Sequence, residues 1–327
     1  MGNKVFNTFA KAGALLTIFI FLCKDDAGQM KGDHLLGDAG LQAGTQPPPS
    51  FTLVLPAYNY HTSTFVSANG NTIAAPVVNS FLTGLGASIV TKKKILGGNY
   101  GAVIILALAT SKIDGERISS STPLAYSDSY IQPLQLGWET KKADFTLGYA
   151  IYLPTGKYEL GGSDNSGLGM ISNEFSGGTT FYFDSEKEWN VSTLFSYAIN
   201  SRKKNTKDNN ITVGNVLSVE GGLGKTWYQK IKNQPLPMII NAGLIYYFQF
   251  KTTNDQLQSP YIGTFNVELS KDHIYALGIE GNIFIPQFNS SIVIRWLDEF
   301  AAYNRFRGNT FLITLAPYMH FFTPKNK

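Results

Sequence analysis

The stretch Asn190-Val191-Ser192-Thr193-Leu194-Phe195-Ser196-Tyr197-Ala198-Ile199-Asn200 alternates without a break. Val191, Thr193, Phe195, Tyr197 and Ile199 share one parity; Asn190, Ser192, Ser196 and Asn200 share the other. Successive side chains of a β-strand point to opposite faces, so one wall of this strand suits hydrocarbon and the other suits water. In a soluble sandwich the apolar wall would be the core. Here the pattern recurs from Phe51 to Phe322 in segments about ten residues long, and the last closes on the aromatic pair Phe321-Phe322. That recurrence predicts an all-β chain, a transmembrane antiparallel β-barrel whose apolar faces meet lipid.

Composition agrees. Charged residues are 15% of the chain, against about 25% in an ordinary globular protein, and the 32 Gly, 17 Tyr and 22 Phe suit barrel strands with interfacial aromatic girdles. No charged or Pro/Ser-rich linker divides the strand run, so it reads as one domain. The net charge of +4, with 27 basic and 23 acidic residues, is too mild to argue for nucleic acid.

Residues 1–27 read as a signal peptide. Lys4 and Lys11 precede the apolar run Ala12 to Leu22, which is long enough for a secretory core and too short for a membrane span, and Lys24-Asp25-Asp26 follows. Cleavage falls near Ala27. Leu22 before Cys23 is a poor match to a lipidation site, which wants a small residue there. A cut beyond Cys23 removes the only cysteine, leaving no disulfide or thiol chemistry. Residues 28–50 form an irregular plug segment, because the glycines and prolines of Gly37-Asp38-Ala39-Gly40-Leu41-Gln42-Ala43-Gly44-Thr45-Gln46-Pro47-Pro48-Pro49 exclude regular structure.

The barrel proper spans 51–323. About twelve strands are predicted, at 51–63, 77–91, 99–111, 129–138, 144–153, 171–184, 189–200, 214–228, 237–251, 273–285, 291–303 and 309–322. An even number returns both termini to the periplasmic side. Short connections at 139–143, 185–188 and 286–290 read as periplasmic turns; 112–128, 154–170, 201–213 and 252–272 read as extracellular loops. Tyr261 to Leu269 also alternates, but counting it would make the total odd, so it is assigned to a hairpin-like part of its loop.

The Gly37–Pro49 segment, the run Tyr152-Leu153-Pro154-Thr155-Gly156-Lys157-Tyr158, and Glu299-Phe300 with Asn304-Arg305-Phe306-Arg307-Gly308 together resemble the outer-membrane "meta-pathway of phenol degradation" family. The resemblance reaches most of the mature chain. It implies a transporter-like barrel in the bacterial outer membrane, linked to uptake of aromatic or other hydrophobic compounds, and it brings no catalytic residues with it.

An outer-membrane lipid-modifying enzyme would need a nucleophile, a base and an orienting group within hydrogen-bond reach. Of the 4 histidines, His34 lies in the plug segment, His61 near the extracellular edge, His273 at a strand start and His320 near the periplasmic end. No Ser or Asp/Asn stands at a spacing that recruits any of them, so they read as hydrogen-bonding edge or lumen groups. Asp164-Asn165-Ser166-Gly167 lacks the rest of a calcium loop and reads as a turn. No catalytic residue, metal site or cofactor is assigned. Another rival is an adhesin-like barrel that binds a partner through loops such as the one holding Arg202, Lys203, Lys204 and Lys207.

Glu220, Glu280, Arg295 and Glu299 interrupt strands whose opposite-parity neighbours are apolar: Val219 and Leu223, Ile279 and Ile283, Ile294 and Trp296. A lipid-facing charge near the midplane costs about 2–4 kcal/mol, so these four point into the lumen. Pairing through the Pro286 turn sets Glu280 opposite Arg295. Pairing through a loop at 304–308 sets Tyr318 opposite Arg295 as well. The plainer reading, preferred here, is a network satisfying buried charges; the sharper is a constriction that touches solute. Twelve strands enclose a narrow bore, suited to selective passage of small, partly apolar molecules, and the family resemblance implies that these are small hydrophobic or aromatic compounds taken up passively.

Overall fold

The computed structural model describes residues 33–116, 119–206, 210–258, 266–269 and 271–321. The expected signal peptide and Phe322 lie outside these residues. A short 3-10 helix (Gly40–Gln42) is followed by β1 (Ser50–Val66), β2 (Thr72–Ile95), β3 (Gly98–Asp114), β4 (Ser119–Tyr126), β5 (Ser129–Glu139), β6 (Ala143–Leu153), β7 (Ser172–Tyr182) and β8 (Trp189–Asn200). Then come β9 (Asn210–Thr212), β10 (Val216–Gln229), β11 (Met238–Lys251), β12 (Asp255–Gln258), β13 (Asn266–Leu269), β14 (His273–Ile285), β15 (Ser290–Tyr303) and β16 (Arg305–Phe321).

Each wall strand pairs antiparallel with its neighbours in the order β1, β2, β3, β4/β5, β6, β7, β8, β10, β11, β14, β15, β16, and β16 returns to β1. The closing ladder runs from Ser50 opposite Phe321 to Val66 opposite Arg305, so the wall has no free edge. β3 pairs with β5 along its first half and with β4 along its second. The two therefore form one wall strand interrupted at Ser127 and Asp128, and the barrel has twelve. Both register shifts against β3 fall beside a proline, Pro123 in β4 and Pro133 in β5, where the missing N–H cannot join the ladder.

Burial is inverted relative to a soluble protein. In β8, Asn190, Ser192, Ser196 and Asn200 are buried, while Val191, Phe195 and Ile199 are exposed, Phe195 by 52%. Leu223, Ile279, Ile294 and Trp296 stand on the same outer surface, as the sequence pattern requires. An apolar exterior around a polar interior is stable only where the outside is hydrocarbon.

Connections at one end are short. Leu96 and Gly97 join β2 to β3 with φ of 50° and 82°, the doubly left-handed geometry of a two-residue hairpin. Asp184 accepts the N–H groups of Glu188 and Trp189 in the β7–β8 turn, and these bonds hold its carboxyl below the ordinary carboxylate range. The other end carries the longer segments.

Two expectations need correction. The 112–128 stretch is not a loop: β3 continues to Asp114 and β4 occupies Ser119–Tyr126. Nor is 304–308 a loop, because Asn304 takes a left-handed φ of 54° and β16 starts at Arg305. Within 252–272, β13 pairs with β12, and β12 with β9, in a small sheet outside the wall, so the hairpin-like assignment holds for Asn266–Leu269. Finally, Ser50 lies at the short-turn end, but the segment before it runs back through the lumen. Asp33 is therefore held at the other end, by the Ser172 hydroxyl, and the ends of the chain themselves lie outside the described residues.

Ile279 sits mid-strand on the outer face, so Ile279→Arg should destabilise the barrel by about 2–4 kcal/mol in bilayers. Denaturant unfolding in lipid vesicles measures it.

Candidate functional site

Inward groups of seven wall strands, β5, β6, β7, β8, β10, β14 and β15, hydrogen-bond residues 33–49. Because the wall is closed and these partners face its interior, the segment threads the lumen from the long-loop end to the short-turn end. Its backbone N–H groups are the main fasteners. Gly37 N–H donates to Glu220 Oε1 at 3.0 Å, Ala39 N–H to Glu220 Oε2 at 3.1 Å, and Leu41 N–H to Glu280 Oε2 at 3.0 Å. Lower down, Gly44 N–H donates to Thr180 Oγ1 at 3.1 Å, and the Thr45 hydroxyl donates to Asp144 at 3.1 Å. Ser192 Oγ donates to the Leu41 carbonyl at 2.8 Å.

Glycine is required at two of these positions. Gly40 has a φ of +63°, and a Cβ there would strike the Glu280 carboxylate and Arg295 guanidinium. A Cβ on Gly44 would overlap the Thr179 backbone.

Arg295 Nε donates to Glu280 Oε2 at 2.7 Å, across the register pair Glu280–Arg295. The same guanidinium donates through Nη1 to the carbonyls of Gly37 and Asp38. The charge pair thus holds both faces of the segment's peptide groups. Glu299 lies apart from it, accepting Tyr247 OH at 2.7 Å, Tyr60 OH at 2.9 Å and the N–H of Gly308. Tyr318 does not face Arg295. The register partner of Arg295 is Leu312, because the hairpin turns at Asn304 instead of over 304–308; Tyr318 lies near the short-turn end, its ring against Phe284.

His34 sits between two strands. Its Nδ1 is 2.7 Å from Glu174 Oε2 and its Nε2 is 3.1 Å from Glu220 Oε1, an arrangement fully satisfied by a doubly protonated, cationic ring. His61 bonds to Asn79 at 2.7 Å, and His273 stacks on Tyr303. His320 belongs to β16. Sequence reasoning missed Glu174, although Phe175 beside it is 52% exposed and the same parity test would have found it. Asp38 and Asp144 offered less: one lies in an aperiodic segment, the other at a strand start.

The segment packs unevenly. Leu36 and Leu41 are fully buried against Ile245, Tyr247, Ile274, Ala276 and Leu297 on β11, β14 and β15. On the opposite side, against β5 to β8, a cavity of about 230 Å³ remains. Tyr130, Tyr152, Gln132, Gln135, Glu174 and Asp38 are among its lining groups.

The sequence model of a family described as "Putative MetA-pathway of phenol degradation" matches residues 62–315. The chain belongs to that family. Among solved structures, the COG4313 outer membrane channel from Pseudomonas putida F1 matches with a TM-score of 0.65 at 12% identity, over 87% of this chain and 99% of that one. The transport unit of the autotransporter AIDA-I from Escherichia coli reaches a TM-score of only 0.43 at 12% identity, over 92% and 97%, and carries no argument. No curated protein matches. This member of the MetA-pathway family is thus an outer-membrane β-barrel with a channel-like fold.

Removing Arg295 leaves Glu280 buried without its cation, so Arg295→Leu should cost about 3–5 kcal/mol, while Glu280→Gln with Arg295→Leu should cost less than the sum of the single changes. Thermal unfolding in detergent reads the cycle. Equal, additive losses would contradict the pairing.

Proposed function

We propose that the protein is a passive outer-membrane channel for small hydrophobic or aromatic compounds, with residues 33–49 narrowing its lumen. The observation that carries this reading is the uneven packing of the segment. It seals one half of the bore with Leu36 and Leu41 and leaves the cavity of about 230 Å³ along the other. A cavity of about 150 Å³ accommodates benzene, so one substituted ring fits. Tyr130 and Tyr152 offer aromatic surface there, their centroids 5.0 Å apart, and Gln132 and Gln135 offer amides to a ring hydroxyl. The family description points to the same class of compound.

In this reading Glu220, Glu280 and Arg295 act as the constriction by fixing the segment, Glu299 braces the wall through Tyr60 and Tyr247, and Tyr318 stands at the periplasmic mouth. The short turns face the periplasm and the long loops face outward. A bulk-diffusion pore is disfavoured because the segment occupies the bore along its length. Enzymatic function lacks support from the histidines: His34 is engaged by two carboxylates and His61 by an amide, with no hydroxyl nucleophile bonded to either among the described residues.

Proteoliposomes test this. The intact protein should pass phenolic solutes and exclude sugars, and deletion of residues 33–49 should raise sugar leakage several-fold. If intact and truncated proteins are both impermeable to phenolics and sugars, the channel reading fails and partner binding through the loops takes precedence.

A further inference from the structure

We propose that the His34 cluster is a binding site for a divalent transition-metal ion of the zinc type, which fastens the luminal segment to the wall. The inference rests on where the segment lies and is independent of which solute the channel passes. His34, Asp38 and Glu220 each place one ligand atom within 4.8 Å of the others. Imidazole with two carboxylates is a donor set that suits such an ion.

The geometry around the three goes beyond proximity. Ligand atoms bound tetrahedrally to zinc at about 2.0–2.2 Å stand about 3.3–3.6 Å apart, and His34 Nε2 lies 3.1 Å from Glu220 Oε1, within a few tenths of an ångström of that separation. The other ring nitrogen, Nδ1, faces Glu174 at 2.7 Å. A carboxylate behind a ligating histidine fixes its tautomer and orientation and raises its basicity, and Glu174 occupies that position. Glu220 is oriented in turn by the N–H groups of Gly37 and Ala39. The third ligand, Asp38, bonds through its side chain to no other described residue and opens onto the cavity, so its carboxylate can close on an ion without breaking a contact.

Charge favours the same occupant. Asp38, Glu174 and Glu220 surround one histidine, while Arg295 is balanced by Glu280. The cluster is therefore net negative even with a cationic ring, and the cavity gives an ion a route in and room for water to complete its coordination. Two ligands come from the segment and one from β10, so a bound ion is a further cross-link between the segment and the wall.

The test is calorimetric titration of zinc ion alone into the full mature chain, folded in detergent and first stripped with EDTA. One saturable ion per chain is expected. His34→Gln and Asp38→Asn should each weaken it by tenfold or more, and Glu174→Gln by about 10–100-fold. His61→Gln, at the barrel edge, should bind as the unaltered protein does. Asp38→Asn keeps every described bond to the wall, so its folding, checked by heat-modifiable gel mobility, separates loss of a ligand from loss of the fold. No saturable binding by the unaltered protein, or weakening by less than tenfold in either folded His34→Gln or folded Asp38→Asn, overturns the proposal.

Discussion

Hydrocarbon offers no hydrogen-bond partner, and the rest of this structure follows from that. Every main-chain N–H and C=O at membrane depth must be paired within the protein, which forces the ladder from β1 to β16 to close on itself. The same constraint turns charged side chains inward. Glu174, Glu220, Glu280, Arg295 and Glu299 are each at most 9% exposed, on strands whose outer positions are Phe, Leu, Ile and Trp. Concentrating them inside moves the difficulty to the lumen, where buried charges need partners of their own.

The luminal segment supplies those partners. Its irregular backbone has amide groups that no helix or sheet consumes, and the wall carboxylates accept them: Glu220 takes two, and Glu280 takes one while also accepting Arg295. Arg295 then reaches the segment's carbonyls, so the Glu280–Arg295 pair is satisfied partly by wall and partly by segment, while Glu220 takes its described partners from the segment and Glu299 from the wall. Hydrogen bonds to ionised groups contribute about 1.5–3 kcal/mol each, more than neutral ones. The leucines add an apolar contact on one side only. Satisfying the charges and leaving a cavity are therefore compatible, because the cavity lies on the side opposite Leu36 and Leu41.

The wall was legible in the sequence because period-two alternation is a strong local signal, and all twelve predicted strands coincide with wall strands. Glu280 and Arg295 were legible as a pair because the Pro286 turn is short and fixes the register across it. Tyr318 failed for the complementary reason. Placing the next turn over 304–308, when the chain reverses at Asn304, slides the partner of Arg295 from Leu312 to Tyr318. β4 escaped because Pro123 and the adjacent serines resemble a loop, yet β3 gives them a template. The bonds of His34, Asp38 and Leu41 had no periodicity to announce them; the glycines at 37, 40 and 44 marked irregular structure but not its location.

The central claim is that residues 33–49 are fixed inside the barrel by their own amides. Hydrogen exchange of the mature protein in lipid nanodiscs, followed by mass spectrometry across that segment, tests it directly. The amides of Gly37, Ala39, Leu41 and Gly44, all bonded to the wall, should exchange orders of magnitude more slowly than in a free peptide of the same sequence. Exchange of the whole segment at the free-peptide rate would contradict the account.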